Sequence, residues 1–327
     1  MNTDVLDTNV GQKIREPKPN KSKGIPGKKK KLWFYISIMA FPVIQFIIFY
    51  LIVNANSLLL AFKEYKVEEN GVITESVVWF KNIFDAYKNM FAKDGTYTAF
   101  WGKSFLFYGV ATLGGTVFSL AFSYYIYKGG MFGGLFKVML YLPQIVSTMV
   151  VTVMYRSFCE KGLPNLMEQL FNVSVGGFGE NINSQLWYVV FYMLIFSFGS
   201  NVLIYTGTMA GISDSVIEAA QIDGVNKIQE FFHIIMPSIF STFALFIITG
   251  MITIFNGQGN LFNFYGVKAR PEYQTFGYYM YVQIKGAGIN YTKYPPLAAL
   301  GLCLTSIAIP LIFTFRHLLN KYGPKEE

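Results

Sequence analysis

Six stretches of predominantly apolar residues, each long enough to cross a bilayer, run through this chain of 327 residues. A spanning helix needs roughly 20 such residues because the hydrocarbon layer is about 30 Å thick. The stretches predict spans at about 32–54, 104–127, 137–157, 186–208, 235–256 and 297–316. Only 14% of the residues are charged, against about 25% in soluble domains. We therefore expect an all-α membrane protein with six transmembrane helices, a membrane domain over 32–320 and a tail over 321–327.

Most of the net positive charge lies ahead of the first span. Residues 1–31 carry nine Lys and Arg against three acidic residues, which accounts for +6 of the chain's +8. Charge confined to one tail does not indicate nucleic-acid binding. Lysines next to a span stay on the cytoplasmic side, so Lys28 to Lys31 predict a cytoplasmic N-terminus, and six spans place the C-terminus there too. We expect the tail to be disordered and to lie near membrane lipid, with a separate docking role as the alternative.

This orientation places three segments outside and two inside. The outer segments are about 55–103, 158–185 and 257–296, and the inner ones are the short turn "YKGGMFGGLFK", with Lys128 and Lys137, and the segment 212–236. Apolar side chains at helical spacing in the first outer segment predict a short helix, lying on the membrane surface or packed as a small cap. These side chains are Val78, Phe80, Ile83, Phe84 and Tyr87.

The second inner segment contains the stretch "IEAAQIDGVNKIQEFFHIIMP", Ile217 to Pro237, between two spans. Ser215 is positioned to cap a first short helix, with Glu218 three residues later as in a capping box. Gly224 is able to adopt positive φ and end that helix. The stretch therefore predicts a break in the middle of the segment.

A second helix is predicted after that break. Asn226 is suited to cap it, with Gln229 at the third helical position. This helix continues into the fifth span, and Pro237 is placed where a kink is expected. The result is a helix–turn–helix elbow (residues 212–236) joined rigidly to a span. Its small residues and carboxylate suit docking into another protein, whereas composition alone favours an ordinary loop on the membrane surface.

The elbow resembles the EAA loop of the membrane subunits of binding-protein-dependent ABC importers. The motif fits without a gap. Its positions are Glu218, Ala219, Ala220, Asp223, Gly224, Phe231, Ile234 and Pro237. Further stretches, "KKKKLWFYISIMAFPVIQFIIFYLIVNANSLLLAF", "WFKNIFDAY", "YLPQIVSTMVVTVMYRSFCEKGLPN" and "IFNGQGNLFNFYG", resemble sugar-importer permeases of the maltose-transporter type.

The chain departs from that family in three places. The first span lacks a proline near its outer end, and the third has Tyr155 where Trp is common and Gln144 after Pro143. The outer segment at 257–296 is longer than usual. The first two departures concern packing. The third concerns the substrate, because that segment faces the delivered ligand in the family.

The resemblance implies the type I ABC importer permease fold in the bacterial cytoplasmic (inner) membrane. It implies a cytoplasmic ABC ATPase dimer as partner, with Glu218 making a charged contact to it, Asp223 capping or bracing the elbow and Gly224 allowing the turn. The coupling residues that it implies are Glu218, Ala219, Ala220, Asp223, Gly224, Phe231 and Pro237. It also implies a second homologous permease, an extracytoplasmic solute-binding protein and a carbohydrate substrate, expected to be an oligosaccharide. The sequence has no GxxxxGK[ST] phosphate loop, so ATP is expected on the partner, and the chain is expected to be neither an enzyme nor a cofactor protein.

Polar side chains within the predicted spans are candidates for the substrate path. Amide groups in hydrocarbon are costly when unpaired and usually face protein or water. The candidates are Gln144, Ser147, Ser197, Asn201, Tyr205 and Asn256. Hydrogen bonding between helices is the alternative, and for Ser it is the favoured one. No catalytic triad or metal-ligand cluster appears in the sequence, whose two histidines are isolated.

Two further functions remain open at this stage. The chain fits a permease for another solute, such as an amino acid, polyamine or oxyanion, because those subunits share the elbow. It also fits a secondary carrier that is independent of ATP, although no charge pair within the spans points to ion coupling. The sequence leaves open the identity of the sugar, the residues that contact it, the role of the basic tail, and whether two identical or two different permeases pair.

Overall fold

The computed structural model describes residues 28–69, 71–95, 97–179, 182–287 and 290–324, and these are mainly helical. Four helices are long and apolar enough to cross a membrane, and two bent helix pairs raise the number to as many as six if each pair is one span. We number these helical segments in chain order. They are segment 1 (Lys31–Leu60), segment 2 (Thr98–Tyr127), segment 3 (Gly133–Ile145 with Thr148–Phe171), segment 4 (Ser184–Met209), segment 5 (Lys227–Ser238 with Phe240–Asn256) and segment 6 (Tyr291–Tyr322).

Short interruptions and π-helical turns divide these segments into individual helices. Segment 1 comprises Lys28–Phe46, the π-helical turn Ile47–Ile52 and Val53–Leu60. Segment 2 comprises Thr98–Tyr108, the π-helical turn Gly109–Gly114 and Gly115–Tyr127. Segment 3 comprises Gly133–Ile145, Thr148–Ser157, the π-helical turn Phe158–Gly162 and Leu163–Phe171. Segment 4 comprises Ile182–Phe196 and Gly199–Met209.

The second half of the chain continues in the same way. Asp214–Ile222 lies between segments 4 and 5. Segment 5 comprises Lys227–Glu230, the π-helical turn Phe231–Ile235, Met236–Ser238, Phe240–Met251 and Thr253–Asn256. Leu261–Tyr265, the 3₁₀ turn Pro271–Tyr273 and Phe276–Ala287 follow. Segment 6 comprises the 3₁₀ turn Tyr291–Lys293 and Tyr294–Tyr322.

Segments 3 and 5, predicted as single spans at 137–157 and 235–256, are each a bent pair of helices, and the kink expected at Pro237 is a break. The two arms of segment 3 meet at 104°, and those of segment 5 meet at 74°. Segment 3 breaks where Val146 and Ser147 adopt ψ of 144° and 129°, directly after the helix that contains Pro143. Segment 5 breaks at Ile239, two residues after Pro237. A proline removes one backbone donor from the helix and clashes with the preceding turn, which favours a break nearby.

The ends of the chain also differ from expectation. The predicted tail over 1–31 lies outside the described residues except for its last four, and the first helix already begins at Lys28. The last helix continues to Tyr322, six residues beyond the predicted end of the sixth span at 316. The helix Phe276–Ala287 lies in a segment that was predicted only as an outer loop, and it buries Phe276 and Tyr278.

A β-hairpin corrects the all-α prediction. Strands β1 (Lys63–Val67) and β2 (Ile73–Val77) pair antiparallel, with Tyr65 opposite Glu75. Lys63 reaches Glu75 at 2.7 Å, and this hydrogen bond raises the pKa of Lys63. The hairpin is tied to the helix that follows it, because Asn82 Nδ2 donates to the carbonyls of Ala61 at 3.1 Å and Lys63 at 2.8 Å.

The short outer helix predicted around residues 78–87 is present as Lys81–Phe91, and it packs as a cap. Ala86 and Met90 are buried, and the helix contacts segment 6. The Ile83 carbonyl accepts from Cys303 Sγ at 3.6 Å, and Tyr87 shares a hydrogen bond with Ser306. Phe80 and Phe84, which the spacing placed on the same face, are exposed.

Segments 2 and 4 pack closely through small residues. Ser119 Oγ donates to the Phe198 carbonyl at 3.2 Å, and Ser123 Oγ donates to the Val202 carbonyl at 3.0 Å. Small side chains allow helix backbones to approach within a membrane. Gly199 brings segment 4 just as close to segment 3, since a Cβ at this position would lie 2.1 Å from the Leu140 carbonyl oxygen.

Candidate coupling elbow and membrane cavity

The first elbow helix begins two residues earlier than the sequence indicated. It spans Asp214–Ile222 with Ser213, not Ser215, at the N-cap position. Neither the Ser213 nor the Ser215 hydroxyl caps the helix, because the two hydroxyls hydrogen-bond each other at 2.8 Å. The capping box predicted for Ser215 and Glu218 is therefore wrong. Asp214 in the first turn supplies favourable charge at the positive end of the helix dipole.

The turn between the elbow helices depends on Gly224, as predicted. Its φ is +75°, in the region that glycine enters without steric cost. The amide of Gly224 bonds the Gln221 carbonyl at 3.1 Å, and the amide of Val225 bonds the Ala220 carbonyl at 3.1 Å. Backbone donors thus satisfy the last carbonyls of the helix in the manner of a glycine C-cap.

The second elbow helix starts with the predicted capping box. Asn226 Oδ1 accepts from the amides of Ile228 at 3.0 Å and Gln229 at 2.9 Å, and Gln229 Oε1 accepts from the Asn226 amide at 3.1 Å. The helix begins at Lys227 and continues through a π-helical turn to Ser238, before the bend of segment 5. The second elbow helix is therefore the first arm of segment 5 (the inner arm, Lys227–Ser238). A 74° bend at Ile239 joins it to the arm Phe240–Asn256, in place of the rigid junction that was predicted.

A surface concavity of about 780 Å³ lies between the two elbow helices. Four of the predicted coupling residues line it, namely Ala219, Ala220, Asp223 and Gly224. Further lining comes from Ser215, Val216, Val225, Gln229, His233 and Ile234. Glu218 is exposed on the first helix but does not line the concavity.

The remaining two coupling residues lie further along the chain. Phe231 packs edge-on against Tyr124 of segment 2, with ring centroids 5.2 Å apart, and Pro237 precedes the bend of segment 5. Large apolar side chains of the elbow stay exposed, including Ile222 at 86%, Ile228 and Phe232. Apolar side chains next to carboxylates around a concave surface are suited to binding another protein.

A cavity of about 280 Å³ lies at the bend of segment 3. Two of the predicted path residues, Gln144 and Ser197, come together there. The other lining residues are Ala111, Pro143, Thr148, Val151, Tyr192, Met193, Phe196 and Asn260. Gln144 Nε2 donates to the Phe196 carbonyl at 2.7 Å, and Ser197 Oγ donates weakly to the Ala111 carbonyl at 3.4 Å.

The other four path candidates are not gathered at this cavity. Ser147 is exposed at the break of segment 3, Asn201 is half-buried in segment 4, and Asn256 is exposed at the end of segment 5. Tyr205 is fully buried in an apolar cluster, with its ring against Phe246. Asn260, which was not among the predicted path residues, also lines the cavity. Its backbone is left-handed, with a φ of 56°, and it ends the glycine-rich stretch "NGQGN".

These features define a multi-pass helical membrane protein of the transporter type, in which broken helices border cavities. The chain belongs to the family of binding-protein-dependent transport system inner membrane components, whose model matches residues 111–322, more than half of its length. This is a transport family and not an enzyme family. The matched region includes the elbow and both bent segments.

Two curated relatives come from Bacillus subtilis (strain 168). The probable ABC transporter permease protein YesP is 28% identical over 219 residues, which cover 64% of this chain and 66% of YesP. The polygalacturonan/rhamnogalacturonan transport system permease protein YteP is 23% identical over 198 residues, covering 57% of this chain and 58% of YteP. The chain thus spans slightly less than two-thirds of the length of either relative.

A solved structure shares the fold over a longer range. It is that of a bacterial alginate ABC transporter in complex with an alginate pentasaccharide-bound periplasmic protein. The TM-score is 0.70, and the match covers 89% of this chain and 96% of that one. Sequence identity is 16%, so the likeness concerns the fold.

Proposed function

We propose that this protein is the permease subunit of an ATP-driven importer that takes up an oligosaccharide by alternating access. The observation that carries the proposal is the elbow. A positive-φ turn at Gly224 and an Asn226 capping box hold two short helices. The second helix is the inner arm of segment 5 itself, Lys227–Ser238, so a displacement applied to the elbow is passed to the arm Phe240–Asn256 across the bend at Ile239.

The proposed topology has six spans, with both termini and the elbow in the cytoplasm. Each bent pair is counted as one span. The lysine cluster Lys28–Lys31 at the start of the first helix favours this orientation by the positive-inside rule. A bacterial cytoplasmic membrane is the corresponding location. The β-hairpin and the helix Lys81–Phe91 then face outward, where a solute-binding protein delivers its ligand.

The proposed partner at the elbow is a cytoplasmic ATPase dimer. Glu218 and the exposed Ile222 offer it charged and apolar contacts, while Ala219 and Gly224 leave room for its side chains in the concavity. Asp223 closes the end of the first helix beside the turn. The ATPase dimer approaches two elbows at once in this arrangement, which requires a second permease subunit.

A carbohydrate substrate is supported by what related proteins carry. YteP is named for polygalacturonan and rhamnogalacturonan, and the structural neighbour was solved with an alginate pentasaccharide on its periplasmic protein. The path proposed here passes the cavity at the bend of segment 3, with Gln144 and Ser197 as polar contacts. Ser147, Asn201 and Asn256 are proposed to reach it in other conformations of the cycle.

Affinity purification of the tagged chain from gently solubilised native membranes tests the proposal. We expect an ATPase with a phosphate-binding loop to co-purify with the chain. It should be lost from the Gly224→Asp variant, which places a second carboxylate beside Asp223 in the concavity, although that variant still inserts. The co-purified complex also gives access to its binding protein, which is screened against oligosaccharides by calorimetry. A chain that is purified alone, yet transports solute in vesicles without ATP, would instead be a secondary carrier.

A further inference from the structure

A charged side chain at the inner end of segment 2 is paired with a buried carboxylate of the elbow. Lys128 Nζ lies 2.8 Å from Glu230 Oε1 and 3.1 Å from Oε2, so the ammonium group contacts both oxygens. The two residues are 102 positions apart in sequence. The side chain of Glu230 is 4% exposed, whereas the acidic partner in every other ion pair of the described residues is at least 26% exposed.

Two further contacts join the same two elements. Tyr124 Oη donates to the Lys227 carbonyl at 2.9 Å, and the Tyr124 ring packs edge-on against Phe231. Tyr124 and Lys128 lie one helical turn apart, so they present both contacts from one face of the helix end. We call these five residues, Tyr124, Lys128, Lys227, Glu230 and Phe231, the inner clamp.

The backbone that carries Lys128 is itself fixed. The Lys128 amide bonds the Tyr124 carbonyl at 3.0 Å, and the turn that follows has Gly129 at φ of 68°. Tyr125 Oη donates to the Met131 carbonyl at 2.9 Å, which folds the turn back onto segment 2. The ammonium group is therefore presented from a closed turn and not from a free loop.

A buried carboxylate is costly unless it is paired and hydrogen-bonded. Lys128 supplies that pairing from another helical segment, so the elbow reaches its lowest energy only when it lies against segment 2. Segment 2 is in turn bonded to segment 4 through Ser119 and Ser123. The elbow is therefore connected to three helical segments. The chain joins it to segments 4 and 5, and the inner clamp joins it to segment 2.

We propose that the inner clamp makes segment 2 move together with the elbow, with Lys128 as its positioning residue. Displacement of the elbow then shifts segment 2 and the arm Lys227–Ser238 of segment 5 as one body, and the bends of segments 3 and 5 take up the difference. This inference rests on the proposed function, because it assumes that an ATPase moves the elbow.

Pulsed electron–electron spin resonance on the complete importer tests the clamp without knowledge of the substrate. One spin label replaces Asp214 of the first elbow helix, and the other replaces Val117 of segment 2, which is 66% exposed. The two native cysteines, both buried, are changed to alanine. Distances are recorded in lipid nanodiscs without nucleotide and with a non-hydrolysable ATP analogue, and ATP hydrolysis is measured on the same preparations.

We expect an unchanged label distance in the two nucleotide states of the otherwise native complex. Lys128→Met leaves the buried carboxylate unpaired, so the distance should broaden or shift when the analogue binds. ATP hydrolysis should fall about tenfold, within the range by which single mutations change coupling between sites. The charge-swapped double variant Lys128→Glu/Glu230→Lys should restore both values. Lys137→Met is the matched control, since Lys137 is exposed at the start of segment 3 and forms no ion pair with a described residue.

The outcomes separate this inference from the function on which it rests. A native complex whose label distance changes with nucleotide overturns the clamp while leaving the importer function intact. So does a Lys128→Met complex that behaves as the native one, or a charge-swapped variant that fails to recover. Purification without any ATPase overturns the proposed function and the clamp together.

Discussion

Gln144 of segment 3 and Phe196 of segment 4 join two helical segments, each next to an interruption of its helix. The side-chain amide of Gln144 donates at 2.7 Å to the carbonyl of Phe196, the last residue of the helix Ile182–Phe196. Gln144 itself stands two residues before the break of segment 3. The Gln144 side chain, near the end of one helix, thus pairs with the last carbonyl of another helix, which intrahelical hydrogen bonds do not satisfy. The bond lies beside the cavity proposed for the substrate.

Gln144→Met should lower the free energy of unfolding by about 1 kcal/mol, because a side chain of similar length no longer pairs the Phe196 carbonyl. Denaturant titration of the purified chain in detergent measures this. Thr148→Val removes a hydroxyl from the same cavity wall and leaves that hydrogen bond in place, so it should be nearly neutral. Equal losses in the two variants would mean that the hydrogen bond contributes nothing specific.

Gly199→Ala should destabilise the protein by about 1–3 kcal/mol, because the added Cβ meets the Leu140 carbonyl oxygen and forces the helices apart. Gly207→Ala in the same helix has open space around its Cβ. It should be neutral or stabilising by up to about 1 kcal/mol, as expected from helix propensity. Thermal unfolding followed by circular dichroism compares the two, and a reversed order would contradict the close packing of segments 3 and 4.

Gly224→Val should abolish ATPase association, because a β-branched residue is strained at a φ of +75°. Gly224→Asn adds a side chain of similar bulk but tolerates left-handed backbone. Association should therefore be largely retained in the asparagine variant, as judged by the amount of ATPase that co-purifies. If both variants bind equally well, the conformation of this turn does not determine docking.

A cysteine at position 227 should react with an impermeant thiol reagent only after the membrane is opened, since the elbow is proposed to lie in the cytoplasm. A cysteine in place of Val72, in the β-hairpin and 54% exposed, should react in intact cells. Both are introduced in a chain that lacks its native cysteines. Labelling of position 227 in intact cells would reverse the proposed topology.

Local patterns in the sequence predicted the elbow well because its structure depends on neighbouring residues. The Asn226–Gln229 capping box and the Gly224 turn each involve groups within a few positions of one another. The start of the first helix was missed for a related reason. "SDS" offers two serines with the same capping chemistry, and the hydrogen bond between Ser213 and Ser215 leaves neither to cap.

Features that depend on distant contacts could not be predicted in this way. Hydropathy does not show that segment 3 bends by 104°, because Pro143 is compatible with a straight, kinked or broken helix. The sequence around a buried tyrosine such as Tyr205 has the same apolar pattern as the sequence around a tyrosine that lines a substrate path, so the pattern does not distinguish the two. Nothing near Lys128 or Glu230 in the sequence points to their pairing across 102 positions. Both strands of the hairpin are five residues long, and their alternation is too short to distinguish them from a loop.

The bend of segment 3 bears on how the protein is assembled during synthesis. Its first arm has 13 residues, about 20 Å of helix at 1.5 Å per residue, which is shorter than the hydrocarbon layer of about 30 Å. Such an arm is a poor substrate for independent insertion by the translocon. The Gln144 partner on segment 4 is made later by the ribosome, so the hydrogen bond beside this break forms only after segment 4 has been synthesised.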